Sequence, residues 1–380
     1  MRVLGTTVTQ VPALKRAAEE DLGIQLEFIS LDGTAAQRVG ALYPDRFDVY
    51  DQWFHDIDLI WPTGSIQPID VTRISRWTEI ETLPRLAHQT SGAPPASGSE
   101  PSERLFVQMD GSLGDRPTSW ISMAPTVHNA DSFAVVGADP KSVRSWGALL
   151  DPDWSGAVCL QTDAAIGVLD MTLALHARGG FAPDDAGDLS LEEIDTLVAK
   201  TETYRREGHF GCLWADESEA IRAFGRSERM LGSLWWSGFT KLRALGIPVE
   251  MVTPEVGYRG WFGGLSLSSR ADPWHVDAAY DYFNWWYGGR AGALMSRNGA
   301  YMMARETVRT YLTEAEWDFW YAGKPAATEI RNSDGAIVFD VGEVREGGSY
   351  TERMSRIAIW DTIMREHNYL VRRWEHALSR

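Results

Sequence analysis

The sequence predicts an α/β protein of two domains. Strand-type and helix-type patterns alternate along the chain, which argues for layered α/β structure. The chain has 380 residues, more than one small core organises. A composition of 44% hydrophobic and 23% charged residues suits a water-soluble globular chain. No run approaches the roughly 18 apolar residues of a membrane span.

The elements follow in order. Residues 2–8 read as extended. Val11 to Asp21 reads as a helix with Val11, Leu14, Ala17 and Ala18 on one face, stopped by Gly23. Ile24, Leu26 and Phe28 then alternate with polar residues, the pattern of a half-exposed strand. Phe47–Asp51 reads as a short buried strand running into Gln52, Trp53, Phe54 and His55. A helical turn with Ile57, Leu59 and Ile60 follows, then Gly64 and a second extended piece, Ile66–Ile69. Residues 89–103, rich in Ser, Gly and Pro, predict a surface loop long enough to be functional. Residues 119–128 read as extended and lead to Asn129. Trp146 to Trp154 reads as a short helix and turn, followed by strand Ala157–Leu160 and helix Ala164–Ala177. Ser190 and Glu193 form a capping box that opens an amphipathic helix with Ile194, Leu197, Val198 and Tyr204, closed by Gly208. Strand Phe210–Trp214, a helix over 216–225, strand Met230–Trp235 and extended runs at 248–252 and 260–268 come next. From Val276 the pattern is mainly helical, with Ala279, Tyr280, Phe283 and Trp286 on one face. Thr313 and Glu316 mark another helix start, and the last helix carries Tyr369, Leu370, Trp374 and Leu378.

A net charge of −17 argues against nucleic acid or an anionic membrane surface as partner. The chain enters a strand directly after Met1, with no charged leader or apolar segment; the protein is expected to be cytoplasmic or to have had an export signal removed. Cys159 and Cys212 lie in similar contexts, and a disulfide is geometrically possible if their strands are neighbours. Metal-binding spacings, nucleophile elbows and phosphate-binding loops are absent, so neither cofactor nor metal is expected. Asp151 and Asp153 flank a proline turn, where they read as solvated. Asp216, Glu217 and Glu219 open a helix, where acids favour the helix dipole, so capping outweighs acid–base chemistry.

One arrangement recurs: a strand that ends in aromatic or acidic residues. The five ends are Trp53 and Phe54; Thr162 and Asp163; Trp214 and Asp216; Trp235, Trp236 and Ser237; and Trp261 and Phe262. Ligands in open α/β sheets sit beyond the carboxyl ends of strands. Core packing can explain each end alone, but five in a chain with 17 tryptophans point to an aromatic-lined cavity. Indole faces with interspersed carboxylates suit an organic cation or amine.

The segment order resembles the extracellular solute-binding proteins of ABC importers, with the spermidine/putrescine-binding family as nearest branch. The resemblance spans roughly residues 10–310 and is diffuse. It rests on Leu22-Gly-Ile-Gln-Leu-Glu-Phe, Phe47-Asp-Val-Tyr, Gly64-Ser-Ile-Gln-Pro-Ile-Asp, Leu231-Gly-Ser-Leu-Trp and Ala278-Ala-Tyr-Asp-Tyr-Phe-Asn-Trp-Trp. Ser145-Trp-Gly-Ala-Leu-Leu-Asp-Pro-Asp-Trp-Ser-Gly is its most specific part. It implies a two-lobe periplasmic-binding-protein-like fold of type II, with a hinge and an interlobe cleft. It places ligand positions near Thr7 and Thr9, near Gln52, Trp53 and Phe54, at Asp163 or Ala164, at Trp235, at Trp261 and near Tyr301. Two departures count against a polyamine ligand. The first loop reads Thr6-Thr-Val-Thr without an aromatic or an acid, and Gly263 stands where the family has an acid.

The expected organisation is one lobe of residues 1–126 and 266–310, a second of 127–265, and C-terminal helices over 311–380 packed across them. The expected function is a monomeric periplasmic receptor that captures a small polar organic ligand with one cationic centre and passes it to a membrane permease. Trp53, Trp235 and Trp261 would wall the cleft, and Asp163 and Asp216 would pair with the charge. Trp214 stands beside them, and Trp236 is expected to face away from Trp235 by strand alternation. The loops 89–103 and 326–348, the latter with Arg331 and Arg345, are candidates to reach the cleft. The alternatives are polyamine binding, or an enzyme on a related two-lobe scaffold, which the absent catalytic signatures disfavour.

Overall fold

The computed structural model describes residues 1–80 and 92–379. Residues 89–91 of the expected loop lie outside the described residues.

Two mixed sheets organise the chain. The larger has eight strands, in the order Tyr301–Met302, Ala124–Asp131, Tyr258–Ser268, Val49–Trp53, Arg2–Gly5 and Glu27–Ser30, with Ile66–Gln67 and Ile357–Trp360 also paired to Tyr258–Ser268. Arg2–Gly5 runs parallel to both Glu27–Ser30 and Val49–Trp53. Helices connect these parallel strands, as parallel pairing requires. Pro12–Leu22 begins with a proline at its first position and ends at Gly23 with φ 65°, a left-handed conformation that glycine adopts without strain. The smaller sheet has five strands, in the order Phe210–Trp214, Val158–Gln161, Met230–Ser233, Phe133–Val136 and Glu250–Met251. Its three strands Phe210–Trp214, Val158–Gln161 and Met230–Ser233 are parallel. The expected capping boxes at Ser190/Glu193 and Thr313/Glu316 are both formed.

The chain changes sheet where Ala124–Asp131 gives way to Phe133–Val136 at Ser132, and again between Met251 and Tyr258. The Ser132 hydroxyl donates to the Val252 carbonyl at 2.6 Å, tying the two crossings together. One apolar cluster runs from the larger sheet through Trp53 and Trp261 to Trp214 and Trp236 beside the smaller sheet. A second cluster fills the other face of the smaller sheet, beneath Leu191–Arg206 and His367–Ser379.

Beyond residue 310 the chain is less helical than the sequence suggests. Ile357–Trp360 is a buried strand parallel to Tyr258–Ser268, and Ile330–Arg331 pairs with Ile337–Phe339. β-branched residues dominate these runs, and the packing decides for extended structure over the helical pattern. The last helix, His367–Ser379, packs on Leu191–Arg206, with the Tyr369 hydroxyl and Arg373 both donating to Asp195. Strand Met230–Ser233 stops two residues short of Trp235, which becomes the residue before helix Trp236–Ala244.

Candidate functional site

Two cavities meet at the junction of the sheets and share Trp53, Ile166 and Trp235 in their walls. The inner one adds Val8, Asn129, Trp236, Ser237, Trp261, Met295, Asn298, Ala300 and Asp361, and encloses about 20 Å³. That is room for a water molecule, not for an organic solute. The outer one, about 470 Å³, is bordered by Asp32–Thr34, Gln161–Asp163, Leu213, Ala215, Glu375, Leu378 and Ser379. Its volume lies in the range of small-molecule sites.

The larger sheet places Trp53 at the end of its strand, and the smaller sheet supplies Trp235 and Trp214. Trp53 meets Trp235 and Trp261 edge-on at centroid distances of 5.8 and 5.1 Å, and Trp235 meets Trp214 at 5.0 Å. Edge-to-face contact is the favoured aromatic geometry. The four indoles thus form one wall that joins the two sheets.

Asp163 sits between strand Val158–Gln161 and helix Gly167–Ala177, where its carboxylate accepts from the Ala165 amide at 2.8 Å. Burial pushes its pKa up, against the Ala165 hydrogen bond and Arg259, which favour the charged form. Asp32 and Glu375 border the same cavity, which among the described residues has no arginine or lysine in its wall. Among the described ion pairs none includes Asp32, Asp163 or Glu375. Among the described residues the outer cavity therefore offers carboxylates without an arginine or lysine in its wall, next to two indoles.

A charged cluster lies behind the inner cavity. Arg259 donates to Asp170 at 2.9 Å and to both oxygens of Asp361 at 2.8 and 2.9 Å. The Trp261 indole donates to Asp131 at 2.6 Å, while the other Asp131 oxygen is buried without a partner. Burial raises Asp131 to about 6 and Asp361 to about 7, although Arg259 draws both down.

The expected site residues divide clearly. Trp53, Asp163 and Trp235 line the outer cavity, and Trp261 lines the inner one. Trp214 is fully buried behind Trp235, and its neighbours Leu213 and Ala215 face the cavity instead. Asp216 is a correction: it is exposed and forms a capping box with Glu219, because the helix start claims its oxygens. Thr7 is exposed, and Thr9 is buried in a hydrogen bond with Asp51; Val8 between them reaches the inner cavity. The strand expected over residues 2–8 ends at Gly5, and a turn carries residues 7–9. Gln52 is directed to the Gly33 carbonyl at 3.2 Å, and Phe54 stacks on Phe262 at 4.2 Å. Tyr301 is buried among His128, Tyr321 and Tyr350 and contributes only through its neighbour Ala300. Ala164 is buried beside Asp163.

Trp236 also departs from expectation. It lines the inner cavity with Trp235, because the strand has already ended and alternation does not apply. Its outer face covers Arg345, whose guanidinium carbon lies 4.3, 4.5 and 5.0 Å from the rings of Trp236, Tyr301 and Trp320. Arg345 thus fills a cage behind the cavity wall, whereas Arg331 stays outside, paired with Glu329 at 2.5 Å. The described part of the 89–103 segment turns away to the smaller sheet's side, where the Gly98 amide donates to Asp185 at 2.9 Å. Sequence reasoning missed Asp32, Glu375, Asp361 and Asn129, which only the tertiary fold brings to the cavities.

No protein-family model matches the chain. A spermidine/putrescine-binding periplasmic protein of Escherichia coli K12 is 25% identical over 150 residues, which are 39% of this chain and 40% of that protein. The alignment thus spans about two fifths of the curated relatives' length. Among solved structures, a Listeria monocytogenes protein assigned to a spermidine/putrescine ABC transporter matches over 99% of this chain and 98% of its own, with TM-score 0.66 and 13% identity. A periplasmic binding protein of A. tumefaciens B6 in complex with glucopine matches over 100% and 99%, with TM-score 0.63 and 11% identity. The chain has the two-lobe periplasmic-binding-protein-like fold of these structures and is similar in sequence to the spermidine/putrescine-binding proteins.

Proposed function

We propose that the chain is the solute-binding receptor of an ABC importer, working as a monomer outside the cytoplasmic membrane. It captures a small polar organic solute with one cationic centre, such as an amine, an amino-acid derivative or a quaternary ammonium compound, and presents it to a membrane permease. In this reading the two sheets are the cores of two lobes. The lobes hinge where the chain changes sheet, at Ser132 and over 252–257, rather than at 126/127 and 265/266. Residues 311–379 pack across them.

The observation that carries the reading is the outer cavity. It combines about 470 Å³, two indole walls and carboxylates with no arginine or lysine beside them among the described lining residues. A cation placed there gains attraction from the Trp53 and Trp235 faces and from Asp163. Asp32 and Glu375 are exposed, so water and salt screen them, and Asp163 is the stronger partner. Polyamine binding is the second reading. It is favoured by these same two acids, which supply additional charge partners, and by the name of the Escherichia coli relative.

A thermal-shift panel separates the readings, because a ligand that binds only the folded state raises its stability with concentration. The panel holds polyamines, choline and zwitterionic amino-acid derivatives, sugars, and phosphate and sulfate. The largest stabilisation is expected from a compound with one positive centre. A dominant response to spermidine would favour the second reading, and a response to oxyanions alone would overturn both.

A further inference from the structure

Cys159 and Cys212 lie opposite one another on adjacent parallel strands of the smaller sheet. The pairing passes from Val158↔Phe210 directly to Cys159↔Cys212, so Gly211 is an extra residue on its strand. Regular pairing would have set Gly211, not Cys212, beside Cys159. Gly211 is required there, since a Cβ would sit 2.1 Å from the Gly156 carbonyl oxygen. The bulge thus brings the cysteines into register. Both belong to the apolar layer that includes Trp214 and Phe224, whereas Val158, Leu160 and Leu213 pack in the layer on the opposite face. The two thiols therefore lie on one face, and they interact directly.

We infer that Cys159 and Cys212 are a redox pair that closes to an intramolecular disulfide. Neighbouring strands stand about 4.8 Å apart, inside the roughly 4.4–6.8 Å that disulfide-linked Cα atoms span. The roles of the two thiols differ. Cys159 is fully buried, while Cys212 is half-buried and faces helix Glu217–Arg226. The Cys159 contact and, to a lesser extent, Arg222 favour the Cys212 thiolate; burial and Glu219 oppose it. Cys212 is the thiol that meets the oxidant, a low-molecular-weight or protein disulfide. Its thiolate attacks one sulfur of that disulfide and expels the other as a thiolate. Cys159 then loses its proton, attacks the Cys212 sulfur of the mixed disulfide and expels the second thiolate. Two protein thiols are oxidised by two electrons, and the donor is reduced to two thiols.

The bond would sit beside the outer cavity. Two residues after Cys159 its strand reaches Gln161, and Leu213 directly follows Cys212; both line that cavity. Closure would hold these two strand ends in one register.

The test uses the full chain and does not depend on any solute. Reduced protein is incubated with glutathione disulfide, quenched in acid, denatured and assayed for thiols and intact mass. Loss of both thiols, a mass lower by two hydrogens and a cross-linked peptide pair carrying Cys159 and Cys212 are expected, with full reversal by dithiothreitol. In Cys212→Ser the buried Cys159 is expected to stay unmodified while the protein is folded. Two titratable thiols after incubation, a stable glutathione adduct on Cys212, or cross-linking between chains would each overturn the inference. The wild-type measurement stands even if the variant fails to fold.

Discussion

Trp235 and Trp236 are adjacent in sequence, and their loss should have different consequences. Trp235 is half-buried, faces both cavities and touches the protein through edge contacts with Trp53 and Trp214. Such pairs contribute about 0.5–1.5 kcal/mol each beyond burial, so Trp235→Ala should cost about 1–3 kcal/mol of stability. It also removes one face of the cation site, weakening binding by about 1–2 kcal/mol, or roughly 5- to 30-fold. Trp236 is buried and packs on Phe239 at 4.9 Å and Trp320 at 6.1 Å. Truncating such an aromatic costs about 3–5 kcal/mol. Arg345 also loses one wall of its cage, for about 1 kcal/mol more. Arg345 has little else to fall back on: its described hydrogen bonds go to the carbonyls of Gly299 at 2.6 Å and Trp320 at 3.4 Å. Urea denaturation of both variants, with calorimetric titration of the best compound from the thermal-shift panel, makes the comparison. Equal destabilisation with unchanged affinity in Trp235→Ala would refute the reasoning, since Trp235 would then be a core residue like its neighbour.

Asp163→Asn should weaken binding of a cationic compound at pH 8 with little change in Tm; because burial raises the Asp163 pKa, the wild-type affinity should also fall on acidification before an ordinary carboxylate would protonate. Titration at pH 5 and 8 checks both, and equal affinities in variant and wild type would remove Asp163 from the site. Arg259→Leu should cost about 3–5 kcal/mol, because Asp170 and Asp361 would be left buried without their cation; a denaturation midpoint near wild type would contradict this. Burial raises Asp51 to about 7 from 3.8, so its protonated form is favoured by the fold, and stability is lost as pH rises through that window. Each unit of that shift corresponds to about 1.4 kcal/mol. Asp51→Asn should therefore flatten the decline in stability between pH 5 and pH 8, and an unchanged slope would place the titration elsewhere.

The parts of the site legible in sequence were those set by local pattern. The run Phe47–Asp51 announces a buried strand by composition alone; the strand lies two residues later, over Val49–Trp53, so that Trp53 closes it instead of following it. Asp163 is legible in the same way, from a strand that stops and a helix that starts. The capping boxes read directly because their hydrogen bonds are between residues three apart. Asp216 shows the limit of the same logic. Its position after a strand suggested the cavity, but a helix start one residue later offers backbone donors closer than any ligand, and it takes those. Trp236 departs because strand alternation does not hold beyond Ser233, where the backbone has already turned. Thr7 and Thr9 came from the resemblance rather than from local pattern, and the strand expected over residues 2–8 ends at Gly5, so a turn carries them.

What sequence could not supply is the pairing of distant charges. Arg259 lies within an eleven-residue strand in which every residue is buried, and nothing local explains a cation there. Its partners Asp170 and Asp361 come from a helix of the smaller sheet and from the turn after Ile357–Trp360. A buried arginine without both would be costly, so the three residues are tied together by electrostatics while lying far apart in sequence. The arrangement also spans the junction between the sheets. Arg259 pairs across the strands with Asp131, one residue before the chain changes sheet, and Asp361 lines the inner cavity. Any rotation of one sheet against the other must therefore pivot around Arg259 with its ion pairs intact or pay to separate buried charges. These ion pairs therefore brace the junction on which the proposed hinge turns.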